Sequence, residues 1–361
     1  MKAIRSWRLA LILGSVACAW LALGAQTQQA AAHHWSIQVH AGAGDLARAT
    51  MSPADEAAAR AKITEAIQAG AAVLDKGGSS LDAVEAAILI LEDATLFDVG
   101  RGAVFNSVGQ IESDASIMDG SDLRAGAVAA TMHTRHPISA ARAVMEKSLH
   151  VLIVGTGADS FAAEVGLEQV PQSYFFNERR WQALVHQLKS EGRPVPPRPA
   201  GAPPEPVASL APFPYSPIDA HWFGTVGVVA LDRKGNLAAG TSTGGSQGKH
   251  PGRVGDSPII GAGTYASNAS CAVSGTGVGE YFIRLGVARE VCNLIQYRGM
   301  KPQEAADEVI HKEVAGLKGE GGVIVLTPDG QQAWSYNTQG MFRARQSEGG
   351  ALTVSIFPDE L

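Results

Sequence analysis

Apolar and polar positions alternate over Trp35-Ser-Ile-Gln-Val-His40, the period of two expected of a strand, and a glycine turn, Ala41-Gly-Ala-Gly44, follows. A longer period then takes over. Ser52-Pro53 followed by 54–76 reads as a capped helix, with proline at its first position and Gly77-Gly78 as the stop. Ser80 caps a second helix over 81–91, apolar nearly all round and therefore expected to be buried. Leu96 to Gly102 is a loop. Short strands are predicted at 103–105 and 111–118, a hairpin turn at Asp119-Gly120, and a further strand at 125–132. A helix over 137–147, a strand over 150–154 and a helix over 175–191 complete the first half.

Ten of the chain's 18 prolines lie between Pro194 and Pro217. Such a stretch has too little apolar content for a core and favours extended polyproline structure, so 192–218 reads as a linker. Beyond it the pattern resumes with strands at 225–231, 237–241 and 272–274, a long helix over 280–297, and another over 302–314. Strands at 322–326 and 332–336 close the chain. Paired strands and paired helices in each half predict a layered α+β fold rather than a doubly wound parallel sheet. No short-period repeat is visible.

Composition narrows the function classes. With 361 residues, one large or two modest domains are expected, and 45% hydrophobic with 18% charged residues is ordinary for a globular chain. The net charge of −6 leaves no basic footprint, so nucleic acid is not an expected partner. Residues 1–32 read as a secretory signal. Lys2, Arg5 and Arg8 form a positive region, Leu9 to Leu23 is apolar apart from Ser15 and broken by Gly14, and small residues follow at Ala25 and Ala30-Ala-Ala32. That apolar run is short for a span of ~20 residues, and an uncleaved anchor is the alternative. Signal removal takes the net charge to about −9 and leaves a periplasmic or secreted protein without membrane attachment. Cys18 does not complete a lipoprotein site, because Ser15-Val-Ala-Cys18 lacks the usual leucine three residues before. Cys271 and Cys292 remain, either paired in an oxidising compartment or as buried free thiols. No Cys/His cluster has zinc-like spacing.

The chemistry concentrates after the linker. In Gly224-Thr225-Val-Gly227 a threonine stands where disposable linker meets buried strand. As a β-branched residue it suits a strand start. As a new N-terminus it would carry its own base, since an α-amine titrates near ~7.7–8.0 and can take the hydroxyl proton. Four features follow. Thr241-Ser-Thr243-Gly-Gly245 ends a strand with hydroxyls at a glycine turn, and Pro251-Gly-Arg253-Val-Gly-Asp256 puts a cation and an anion three apart. Gly261-Ala-Gly263 is another turn, and Ser274-Gly-Thr276-Gly277-Val-Gly279-Glu280 feeds a helix start. Separately these read as a surface ion pair, a helix cap, or a dinucleotide loop that lacks its βαβ context. Together they suit a zwitterionic amino-acid head group. Arg253 would hold an α-carboxylate and Asp256 an α-ammonium, while Thr276 and the Gly277 N–H would stabilise an oxyanion under attack by Thr225.

These stretches resemble the isoaspartyl peptidase and plant-type L-asparaginase family of N-terminal nucleophile hydrolases. The resemblance extends through His40 to Gly44, Gly102-Ala-Val, Asp114 to Gly120, Pro137 to Lys147 and Asn337 to Met341. It implies a four-layer αββα sandwich and a precursor that cuts itself between Gly224 and Thr225. The products would be a 33–224 α subunit and a 225–361 β subunit, paired as an (αβ)2 homodimer. It implies Thr225 as nucleophile, Thr243 as its support, Thr276 and Gly277 as oxyanion hole, and Arg253, Asp256, Thr276, Gly277 and Gly279 as substrate-binding residues. The substrates would be L-asparagine and β-aspartyl dipeptides. No cofactor enters the chemistry, though the family often holds a structural sodium ion on main-chain carbonyls of the loop matching Leu91 to Arg101. One departure stands out: the family usually has asparagine after Leu-Phe in that loop, and here Leu96-Phe97 is followed by Asp98. Glycosylasparaginase, a taspase-type endopeptidase and an uncut amino-acid-binding relative are the alternatives. The His-Asp-Thr usual in the first is Phe223-Gly224-Thr225 here.

Overall fold

The opening alternation becomes strand β1 (Ser36–Gly44), the third strand of an eight-stranded sheet, in a computed structural model that describes residues 34–49, 51–204 and 222–360. The segment read as a signal and residues 205–221 of the linker lie outside the described residues. The other strands are β2 (Ser113–Asp119), β3 (Ala125–Thr131), β4 (Leu152–Val154), β5 (Trp222–Leu231), β6 (Leu237–Thr243), β7 (Thr264–Ala266), β8 (Ala272–Gly277), β9 (Gly321–Leu326), β10 (Gln332–Tyr336), β11 (Gly340–Ser347) and β12 (Thr353–Ser355). The large sheet runs β12-β11-β1-β5-β6-β2-β3-β4 and the small one β10-β9-β8-β7. All neighbours are antiparallel except the β3–β4 edge pair.

Period-two alternation along β5 sorts its residues between two layers. Val226, Val228 and Ala230 join Ile37, Val39 and Ile117 in a core shared with α1 (Pro53–Asp75), α2 (Ser80–Glu92) and α3 (Pro137–Lys147). Val229 and Leu231 instead join Leu237 and Ala239 in a second core. It contains Val273 and Val323 of the small sheet and Phe282, Val291 and Val309 of the helices beyond it. Those helices are α6 (Gly279–Leu285), α7 (Val287–Arg298) and α8 (Pro302–Glu308), the last running into a π-helical turn at Val309–Val314. The order helix, sheet, sheet, helix is the αββα sandwich. A third cluster joins Phe105 and Ile111 to Trp181, Leu184 and Leu188 of α5 (Glu178–Ser190).

Several readings shift. Residues 103–105 form no strand: the segment is buried in the third cluster, and Phe105 accepts a backbone bond from Gly248. The second helix is capped by Ser79, whose side chain accepts from the Asp82 N–H, and Ser80 is its first residue. The helix read over 175–191 begins at Glu178, capped by Asn177 and preceded by a 3-10 turn at Gln172–Tyr174. The single helix read over 280–297 breaks at Gly286, whose φ of 63° is left-handed. Helix α4 (Gly155–Glu164) and strands β7, β11 and β12 were not legible. In β11 the reason is Arg343, which sits where a buried apolar residue is expected. Its guanidinium lies 5.0 Å from the ring centres of both Trp334 and Tyr336 and donates to the Phe357 and Glu360 carbonyls. Cys271 and Cys292 form a disulfide that ties the residue just before β8 to α7, which replaces the free-thiol alternative.

Candidate active site

The layer between the two sheets is apolar at one end and polar at the other. On β5 the inward residues run Leu231, Val229, Gly227, Thr225. On β6 they run Leu237, Ala239, Thr241, Thr243, and on β2 Met118, Ser116, Asp114. Buried polar groups require partners, and these find one another. Thr241 Oγ1 lies 2.7 Å from Ser274 Oγ and accepts from Thr264 Oγ1 at 2.5 Å. Ser116 Oγ lies 2.8 Å from Thr264 Oγ1 and donates to the Ser257 carbonyl. His40 Nε2 is 2.9 Å from Ser274 Oγ, and burial pushes its imidazole down to about 3, so it stays neutral. Gly227 lets β8 approach this closely, since a Cβ there would lie 1.9 Å from Ser274 Oγ.

At the polar end, the Thr225 hydroxyl donates to Thr243 Oγ1 at 3.0 Å, and Thr243 Oγ1 also accepts from the Gly245 N–H at 3.0 Å. Thr225 is buried within a central strand rather than at a linker border. Residues 222–223 of β5 pair only with Gly44 and Ala43 of β1, and β6 joins from Val226 onward. Gly224 and Thr225 therefore fall in the register shift between Ala41 and Ala43, where the β1 backbone turns through Gly42 with φ 108°. Behind them stands the departing residue of the loop. A Cβ at Gly224 would lie 2.3 Å from the Asp98 Cβ, so only glycine fits. Asp98 Oδ1 accepts from the Val104 N–H at 2.8 Å, its carbonyl accepts from the Gly244 N–H, and its Oδ2 has no hydrogen-bond partner among the described residues. Burial raises this carboxyl to about 6, against the pull of Arg180, Lys249 and Arg253.

Arg253, Asp256 and Gly279 converge. A Cβ at Gly279 would lie 2.9 Å from Asp256 Oδ1 and 3.0 Å from Arg253 Nη2. Asp256 is buried, its Oδ2 lacks a partner among the described residues, and desolvation pushes its carboxyl up to about 7. Arg253 and Asp256 do not form the surface ion pair that spacing alone allowed. Arg253 instead donates through Nε and Nη2 to both carboxylate oxygens of Glu280, each at 3.0 Å. A second cation adjoins: Lys249 is buried, donates to the Glu112 carbonyl at 2.9 Å, and would lie 3.0 Å from a Cβ at Gly245. Thr276 is buried on β8, two residues past Ser274 and on the same face, with Gly277 ending the strand opposite Gly321.

The structure thus gathers Thr225 with Thr243, and Arg253 with Asp256 and Gly279. It puts Thr276 and Gly277 at the end of the strand that leads into Gly279. Sequence reasoning missed Glu280, Lys249 and Asp114. The last lies directly opposite Thr243, with Oδ1 accepting from the Ala130 N–H. The available signal was the run of polar residues on inward positions of otherwise apolar strands.

Two packed sheets between outer helix layers are the αββα sandwich of the N-terminal nucleophile hydrolases. The chain belongs to the asparaginase family, whose model matches residues 33–356. It is 42% identical to the isoaspartyl peptidases of Salmonella typhimurium and Escherichia coli. The aligned regions cover 89% and 90% of this chain and 98% and 96% of those proteins. It is 39% identical to the isoaspartyl peptidase/L-asparaginase of Homo sapiens, over 82% of this chain and 89% of the human protein.

Proposed function

We propose that this chain is a self-processing threonine amidohydrolase that releases L-aspartate from isoaspartyl dipeptides and L-asparagine. The observation that carries this reading is the Thr225–Thr243 hydroxyl contact, at a glycine that admits no side chain and on the inward face that leads to Arg253 and Asp256. In the uncut chain the Thr225 Oγ attacks the Gly224 carbonyl carbon. The peptide C–N bond breaks, the amine takes a proton, and water hydrolyses the resulting ester. The freed α-amine, with an ordinary pKa of ~7.7–8.0, then serves as base for its own hydroxyl. Thr225 Oγ next attacks the substrate's β-carbonyl, with the oxyanion taken by Thr276 and the Gly277 N–H. Ammonia or an amino acid leaves with the proton, and water splits the β-aspartyl ester.

Arg253 would take the substrate's α-carboxylate and Asp256 its ammonium. Main-chain carbonyls of the loop 91–101 would hold a structural sodium ion. In support, that loop folds tightly on itself: a Cβ at Gly100 would lie 2.1 Å from the Glu92 carbonyl oxygen, and one at Gly102 2.0 Å from that of Phe97. No step runs through the ion. The 1–32 segment and the Cys271–Cys292 disulfide support a periplasmic or secreted enzyme. Exposed Leu149, Val151, Leu152 and Val154 at the β4 edge support pairing of two processed protomers.

Intact-mass measurement with N-terminal sequencing tests the reading. The mature protein is expected as two chains, one starting at Thr225, and Thr225→Ala as one uncut chain without turnover. A cut or active Thr225→Ala protein would overturn it.

A further inference from the structure

We propose that Glu280 is a positioning residue for the substrate's carboxylate, holding one edge of Arg253 so that the end of its guanidinium stays turned toward Gly245 and the Thr225–Thr243 hydroxyl pair. The inference rests on the function proposed above and adds a residue to it.

A guanidinium has five N–H donors: one on Nε and two on each terminal nitrogen. Glu280 uses the Nε–H and one N–H of Nη2, both at 3.0 Å. Two N–H groups on Nη1 and one on Nη2 are left, and these form the end-on fork that can donate two parallel bonds to a second carboxylate. Nη1 makes no hydrogen bond to the described residues. Two glycines adjoin it, a Cβ lying 2.9 Å away at Gly255 and 3.4 Å away at Gly245, and Lys249 Nζ comes within 3.0 Å of the same Gly245 position. Gly245 donates its N–H to Thr243 Oγ1, so this end of Arg253 lies on the side of the hydroxyl pair. Nη2 and Asp256 Oδ1 both approach Gly279, where carboxylate and ammonium of one α-carbon would be received together.

Glu280 itself faces water. Its side chain is 59% exposed against 18% for Arg253. An exposed ion pair adds little to stability, so a long arginine gains from it mainly a fixed orientation. A carboxylate that competed for the substrate's place would occupy the Nη1/Nη2 end, and Glu280 takes the other edge.

The test is Glu280→Ala in the processed enzyme, assayed with L-asparagine and a β-aspartyl dipeptide. KM is expected to rise about tenfold for both substrates with kcat within about twofold, since ground-state and transition-state binding weaken alike. Glu280→Gln, which keeps one acceptor for the Nε–H, is expected to recover part of the loss. Inhibition by L-aspartate and by β-alanine, the same molecule without its α-carboxylate, isolates the contact. The wild type should prefer L-aspartate at least about tenfold, and Glu280→Ala less than about threefold. Unchanged KM and preference would overturn the proposal, a fall in KM would make Glu280 a competitor, and a fall in kcat alone would place it in the chemistry. Should Glu280→Ala fail to fold or cut, Glu280→Gln is read the same way, with a KM rise of about threefold expected. A wild type that neither cuts itself nor binds L-aspartate would overturn the proposed function instead.

Discussion

Burial lifts the Asp256 carboxyl to about 7, and its Oδ2 finds no hydrogen-bond partner among the described residues. A group with a higher pKa folded than unfolded stabilises the fold while protonated. That contribution is complete below pH ~4 and fades as pH rises through about 7. Above pH 7 the empty site therefore holds a poorly solvated anion that a substrate ammonium would neutralise. Two outcomes follow in the processed enzyme. KM should fall as pH rises from 6 to 8, because only the ionised carboxylate receives the ammonium. Asp256→Asn should raise the melting temperature of the empty protein at pH 8 by roughly 2–4 °C while lowering kcat/KM at least about 100-fold. A pH-flat KM with unchanged melting temperature would mean that Asp256 is already paired. Asp256, Thr225, Thr243, Thr276 and Arg253 stood out in the sequence only as a set, because each has an ordinary structural use alone, whereas hydroxyls, a cation and an anion beside glycines together suit one amino-acid head group. Glu280 was not. A glutamate in the first turn of a helix already has an explanation in the helix dipole, and its grip on Arg253 exists only after residues 27 apart meet.

Elements followed the same logic. Helices α1 and α3 were legible almost to the residue because each opens on a proline, and α1 also stops at Gly77-Gly78. Strands β5 and β6 were legible from their apolar runs, while β11 was obscured by a buried arginine whose aromatic stacking is tertiary. The run 280–297 misled for a different reason. Gly286 sits inside a continuous helical pattern, where one glycine is ordinarily tolerated, yet here it ends α6 and starts α7 with φ 63°. This break sets the direction of α6, and so of Gly279 and Glu280. Around Gly286 there is room, since the nearest atom to an added Cβ is the Gly261 carbonyl oxygen at 3.8 Å. Gly286→Ala should therefore act through backbone strain alone. A loss of about 1 kcal/mol in urea unfolding is expected, with KM within about twofold of wild type. A gain in stability would mean that α6 and α7 merge into the single helix the sequence suggested, and KM should then move with Glu280.

At the scale of the molecule, the proposed cut falls within a strand and divides a sheet whose two parts interleave. Residues up to Gly224 supply β1, β2, β3 and β4. Those from Thr225 supply β6, β11, β12 and the rest of β5. In the order β12-β11-β1-β5-β6-β2-β3-β4, the two parts therefore meet at three strand pairs: β11 with β1, β1 with β5, and β6 with β2. The helices divide otherwise, α1 to α5 before the cut and α6 to α8 after it, so neither part covers both faces of its own strands. The Cys271–Cys292 disulfide lies wholly in the second part and cannot link the two. Processed chains should thus elute together under native conditions and separate only in denaturant. Because unfolding then releases two molecules, the stability of the cut form should fall by about 1.4 kcal/mol for each tenfold dilution beyond any shift seen in uncut Thr225→Ala. Denaturation midpoints at two protein concentrations measure that difference. Equal shifts in the two forms would mean that one part keeps its fold without the other, which this strand order does not permit.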